Sequence, residues 1–174
     1  MSAARDALSA EEVARRSARI RDAVLRVPEV STASSFFVYV STGNEVDTRE
    51  LIRVLIRKGK TVTAPRIVGE GVMEAHRIGR LEELVPGRFG IPAPGKPDPF
   101  EGTPDVCISP GVAFGPRGER LGRGKGYYDG FLAEHPDSFA VGLCYDFQVV
   151  EEIPVTQEDR RVRLIVTESR TIRV

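Results

Sequence analysis

PGVAFGPRGERLGRGKGYYDGFL, running from Pro110 to Leu132, holds seven of the chain's 17 glycines: Gly111, Gly115, Gly118, Gly122, Gly124, Gly126 and Gly130. Glycine lets a backbone take positive φ and come close to a ligand. Four cations are interleaved, Arg117, Arg120, Arg123 and Lys125, and Lys125 is one of only four lysines in 174 residues. An apolar run, Val106-Cys107-Ile108, precedes the loop, and an amphipathic run, Tyr127 to Leu132, follows it. Strand, glycine-rich loop, helix is the layout that offers backbone N–H groups and a helix N-terminus to a phosphate. It is not a Walker loop, because Gly118 and Gly124 are too far apart and Gly126 stands where that motif needs a hydroxyl. Nor is it a dinucleotide fingerprint, since Gly122, Gly124 and Gly126 are spaced by two.

Outward from this loop, strand-like and helix-like segments alternate. Ser9 with Glu12 reads as a capping box for a helix whose apolar positions include Val13, Ile20 and Val24, with Pro28 ending it. Its arginines read as a solvated face. Phe36 to Val40 is a continuous apolar run, hence a buried strand, and Ser41 to Glu45 is the loop at its carboxyl end. In open α/β sheets ligands bind at such ends. Asp47 with Glu50 suggests a second capping box, for a helix from Thr48 to Lys58 stopped by Gly59. Lys60 to Ala64 reads as a short strand ended by Pro65, Val72 to Ile78 as another, and Leu81 to Leu84 as a helical turn. From Pro86 to Pro104 the chain holds six of its 12 prolines, a wrapping loop expected to border the site, with Phe89 and Ile91 as its anchors. Asp105 to Ser109, Phe139 to Tyr145, Arg163 to Thr167 and Thr171 to Val174 have strand character, and Tyr127 to Glu134 that of a helix. The alternation predicts one α/β domain over residues 1–174: three α/β/α layers around a mostly parallel central sheet.

Composition narrows the function. Lys+Arg and Asp+Glu both number 25, which argues against a general nucleic-acid or membrane-surface binder. No apolar run approaches membrane-spanning length, and the charged N-terminus lacks a signal peptide's apolar core, so a cytoplasmic, monomeric protein is expected. Cys107 and Cys144 lie in apolar β-like runs and read as buried, reduced thiols. His76 and His135 stand alone, without metal-ligand spacing.

The string Arg120-Leu121-Gly122-Arg123-Gly124-Lys125-Gly126-Tyr127-Tyr128-Asp129 resembles the signature of the 5-formyltetrahydrofolate cyclo-ligase (methenyltetrahydrofolate synthetase) family. PGVAFGPRG before it, NEVDT at Asn44 to Thr48, FGIPAP at Phe89 to Pro94 and GLCYDFQ at Gly142 to Gln148 resemble the same family, in its order. The resemblance implies a three-layer α/β/α fold and small-molecule substrates: a reduced folate and ATP, the latter with Mg²⁺. The reaction it implies is ATP-dependent conversion of 5-formyltetrahydrofolate to 5,10-methenyltetrahydrofolate. By the same resemblance Arg120, Leu121, Gly122, Arg123, Gly124, Lys125, Gly126, Tyr127 and Tyr128 form the ATP-binding run. Arg123 to Tyr127 also face folate, with Val40 and Glu45, while Arg120, Arg123 and Lys125 supply the catalytic cations and Asp129 and Asp159 the metal ligands.

The family's usual N-terminal helix carries a Lys and an Arg that grip ATP phosphates. This chain starts too late to contain it, and Arg5 aligns with neither residue. The alternative is therefore a catalytically weak folate- or nucleotide-binding homologue, and ATP binding weaker than the family's is expected. The ATP KM, measured beside a version given a basic helix ahead of Met1, tests this: the added helix should lower it, and an unchanged value refutes the expectation.

Overall fold

The computed structural model of the protein describes residues 1–174. A short helix α1 (Ser2–Asp6) leads into α2 (Ala10–Leu25). The predicted capping box starts α2: the Glu12 N–H donates to Ser9 Oγ at 3.2 Å, and the Ser9 N–H to Glu12 Oε2 at 3.0 Å. Ser17, Ile20 and Val24 form its buried stripe. Pro28 does not terminate α2, which ends at Leu25; it occupies the first position of a further short helix, α3 (Pro28–Thr32), where its missing N–H is not needed. The basic face of α2 is not wholly solvated either, because Arg16 Nη1 reaches Glu168 at 2.7 Å.

β1 (Ser35–Val38) is buried throughout, and α4 (Arg49–Arg57) follows its long loop. The expected capping box is absent. Thr48 is the N-cap, Asp47 accepts from the Arg49 N–H at 2.9 Å, and Glu50 pairs with Arg53 and Arg57 along the helix instead. β2 (Thr61–Gly69) runs straight through Pro65 and pairs antiparallel with β3 (Val72–Ile78). Its parallel register with β1 ends at Thr63, so Pro65 lies in an overhanging ribbon with one flanking strand, where a missing donor is tolerated. The proline-rich strap contains a small antiparallel pair, β4 (Leu84–Pro86) and β5 (Pro92–Pro94).

β6 (Val106–Ser109) enters the glycine-rich region, where β7 (Ala113–Phe114) and β8 (Arg120–Leu121) pair across a turn; α5 (Tyr127–Glu134) leaves it. β9 (Phe139–Leu143), β10 (Leu164–Val166) and β11 (Thr171–Arg173) complete a seven-stranded sheet of order β11-β10-β9-β6-β1-β2-β3. The five inner strands are parallel, and only the edge strands β3 and β11 run antiparallel.

Alternation along the inner strands sorts side chains into two cores. Phe36, Val38, Val106, Ile108, Val141 and Leu164 face α2 and α4. Phe37, Cys107, Ala140 and Ile165 face α5 with its Phe131 and Leu132. The three layers follow from that division. Burial pushes the Cys107 thiol up to about 12 and raises that of Cys144 further; both cysteines are free.

Phe114 is fully buried, wedged between Gly111 and Gly142. A Cβ at Gly142 would collide with the Phe114 ring, which must shift to admit it. Gly142→Ala should therefore lower unfolding free energy by about 1–3 kcal/mol in urea titration; an unchanged midpoint would show that the ring can move.

Candidate active site

The chain moves one way across the sheet from β1 to β2 and β3, and the other way from β6 to β9 and β10. A crevice must open where the direction reverses, at the carboxyl ends of β1 and β6. A cavity of about 1020 Å³ lies there, lined by Tyr39 and Val40 after β1 and by Pro110 to Val112 after β6. The glycine loop, the overhang of β2, the strap from Val85 to Gly95 and the segment from Pro154 to Arg160 form the other walls. That volume is at the top of the range for single small-molecule sites, with room for two ligands side by side.

The glycine loop has the properties its sequence predicts. Gly124 and Gly126 take φ of +79° and +67°, which side chains resist. No backbone N–H from Gly122 to Gly126 donates to a protein acceptor. Gly126 caps α5 without a side chain, so the helix N-terminus is open as well. Lys125 has no carboxylate partner; its Nζ rests 3.9 Å from the centre of the Phe89 ring. Together these are unpaired donors and an uncompensated cation facing one cavity, suited to a polyanion.

The other expected residues also line the cavity: Val40, Glu45, Leu121, Tyr127, Tyr128, Asp129 and Asp159. Glu45 is fixed by the Thr42 N–H at 2.9 Å and receives Arg123 Nη2 at 3.1 Å, so the loop after β1 and the glycine loop are joined across the cleft. Arg120 is a different kind of cation from Lys125. It is almost fully buried, donates to Asp129 Oδ1 at 3.0 Å and sits over the Tyr128 ring at 5.5 Å. The Arg160 N–H donates to the same Asp129 oxygen at 2.9 Å, tying the segment with Asp159 to α5. Burial, with Cys107 and Glu45 nearby, pushes the Tyr128 phenol well above its usual range, so it stays neutral.

Asp129 Oδ2 makes no hydrogen bond, and Asp159 caps the Thr156 N–H through Oδ2 at 2.5 Å, leaving Oδ1 without one. No group of three or more His, Cys, Asp or Glu residues gathers here or elsewhere. Two carboxylates with a free oxygen each fit a hard ion that completes its shell with water and phosphate oxygens; they do not fit a metal caged by protein alone.

Phe89, with Ile91, is expected to anchor the proline-rich loop. It is instead 60% exposed, the only non-glycine residue with positive φ (57°), and covers Lys125. Arg5, which aligns with neither expected ATP-gripping residue, is brought by the fold to the cavity wall. A contact between Arg5 and a loop 39 residues away leaves no local signal.

The sequence model of the 5-formyltetrahydrofolate cyclo-ligase family matches residues 1–168. The 5-formyltetrahydrofolate cyclo-ligase of Escherichia coli K12 is 34% identical, across 95% of this chain and 95% of that protein. The mouse protein of the same name is 31% identical, across 93% and 87%. The NMR structure of Aquifex aeolicus 5,10-methenyltetrahydrofolate synthetase superposes with a TM-score of 0.85 at 33% identity, covering 97% of this chain and 86% of that one.

The geometry around Asp129 separates a structural role from a metal-binding one. Asp129→Ala leaves the Arg120 guanidinium buried and unpaired, and should lower stability by about 2–4 kcal/mol in urea without nucleotide or metal. A wild-type midpoint would reduce Asp129 to a surface acid.

Proposed function

Because this chain belongs to the 5-formyltetrahydrofolate cyclo-ligase family, we propose that its cavity brings 5-formyltetrahydrofolate and ATP together and closes the folate to 5,10-methenyltetrahydrofolate, releasing ADP and phosphate. The observation that carries this reading is the glycine loop: free N–H groups from Gly122 to Gly126 and an unpaired Lys125 on the cavity wall, joined through Arg123 to Glu45. The protein is an ATP-dependent ligase. We further read it as a cytoplasmic monomer; no helix is long and apolar enough to cross a membrane.

The chemical obstacle is the N5-formyl group, an amide whose oxygen leaves poorly. Transfer of the γ-phosphoryl group to that oxygen forms a P–O bond and breaks the one to the β-phosphate. The N10 amine then attacks the formyl carbon, its proton passes to water, and the C–O bond breaks with phosphate as leaving group. No protein nucleophile is required, so the protein's task is positioning and charge stabilisation.

The residues divide that task. Backbone N–H groups of Gly122, Gly124 and Gly126 meet phosphate oxygens, and Lys125 moves from the Phe89 ring to the charge building on the transferred group. Glu45, held by Thr42, accepts from folate N–H groups, with Val40 as the apolar floor beside it and Tyr127 as a stacking surface. Arg123 exchanges its pairing with Glu45 for substrate. Arg120 holds Asp129, and so sets the loop's shape. Asp129 and Asp159 would hold Mg²⁺ through their free oxygens. Bound there, the ion would neutralise phosphate charge.

Methenyltetrahydrofolate formation, followed by absorbance with ATP and Mg²⁺, tests the whole scheme; no product from the wild-type protein would overturn it. Lys125→Ala should lower kcat/KM by about 10²–10³-fold, since one transition-state donor is lost, with a wild-type melting temperature because Lys125 is exposed. Unchanged turnover would remove Lys125 from the mechanism.

A further inference from the structure

Arg5 is a buried cation with no partner. Only 7% of the residue is exposed, and its side chain enters no hydrogen bond or ion pair. Arg16 and Arg120 share one feature with it, a buried Nε without an acceptor. Their terminal nitrogens, however, bond Glu168 and Asp129. Arg5 has nothing of the kind. Folded proteins bury arginine almost only when it is paired, because an uncompensated charge removed from water costs several kcal/mol.

The position is enforced. Asn44 Nδ2 donates to the carbonyls of Arg5, Asp6 and Leu8 at 3.1, 3.3 and 2.9 Å, closing the end of α1. The Asn44 carbonyl accepts in turn from the buried Tyr145 hydroxyl at 3.1 Å. A five-residue helix is thereby docked so that its arginine lines the cavity with Tyr39, Glu45, Pro110 and Gly111. Glu45, the acid on the same wall, bonds Thr42 and Arg123 rather than pairing with Arg5, whose guanidinium stays free. Its terminal nitrogens open onto the cavity, where an anionic ligand can compensate what the fold leaves unpaired.

Resting on the cyclo-ligase reading of this cavity, we infer that Arg5 is a further binding residue of the reaction centre, its guanidinium engaging the oxygens of the phosphoryl group in transit. Arg5 lies at the carboxyl ends of β1 and β6 on the wall of the 1020 Å³ cavity, which also holds Lys125 of the glycine loop and Arg88 of the strap, two cations likewise without an ion pair or hydrogen bond to protein. Three such cations on separate walls, α1, the strap and the glycine loop, suit a multiply charged group held among them. The planar fork of guanidinium matches phosphate oxygens in pairs. The γ-phosphate of the nucleotide, the phosphorylated formyl oxygen and the released phosphate are successive forms of that ligand.

Arg5→Met and Arg5→Lys, each in the full chain, test the assignment by titration with ADP and with the non-hydrolysable triphosphate AMP-PNP, by kinetics, and by urea unfolding. Arg5→Met should weaken AMP-PNP at least about tenfold while changing ADP less than about threefold, and lower kcat. Its unfolding midpoint should equal or exceed the wild type's, because a buried unpaired charge has been removed. Arg5→Lys should recover part of the AMP-PNP affinity. An unchanged AMP-PNP to ADP ratio overturns the inference. So does a raised KM for 5-formyltetrahydrofolate alone, which would assign the cation to a folate carboxylate, and so does a less stable Arg5→Met protein with normal nucleotide binding. Wild-type protein that binds neither nucleotide and makes no product overturns the cyclo-ligase reading and this inference together.

Discussion

Parallel strands must all present their carboxyl ends on one edge of the sheet, and here the chain changes direction across the sheet between β1 and β6. That reversal is the constraint from which the site follows. The loop after β1 and the loop after β6 diverge, and the space between them cannot be filled by a crossover. Tyr39 to Glu45 and Pro110 to Val112 therefore face a cavity rather than each other. The two packed faces hold the strands in place: Phe36 and Phe37, adjacent in sequence, belong to opposite cores.

The cavity is shaped by charges that neutralise one another and by charges that do not. Arg120 with Asp129, and Arg123 with Glu45, tie walls together. Lys125 and Arg5 have no such counterpart, and they sit in different elements. A polyanion entering the cavity would meet a wall held by the buried Arg120–Asp129 pair and a field supplied by the unpaired cations.

Much of this was legible from the chain alone. The fold class, the parallel core, the capping box at Ser9, the strand Val72–Ile78 and the helix Tyr127–Glu134 follow from periodicity and turn chemistry. The errors have a common origin in tertiary context. Pro65 suggested a strand end because its neighbour's length was unknown. Asp47 suggested a box that Glu50 abandoned for Arg53 and Arg57. The glycine loop was legible as a candidate site because its chemistry is contiguous, whereas Phe89 and Arg5 reach the cavity through contacts across 36 and 39 residues, to Lys125 and from Asn44. Local patterns carry no information about which distant loop will arrive.

The two cysteines have a consequence for the setting in which such chemistry takes place. Oxidants attack thiolate rather than thiol, and burial pushes the Cys107 thiol up to about 12, so it stays protonated at neutral pH. Cys144 ionises more reluctantly still, and neither sulfur meets solvent. The folded protein thus presents peroxide with no ready target among its thiols.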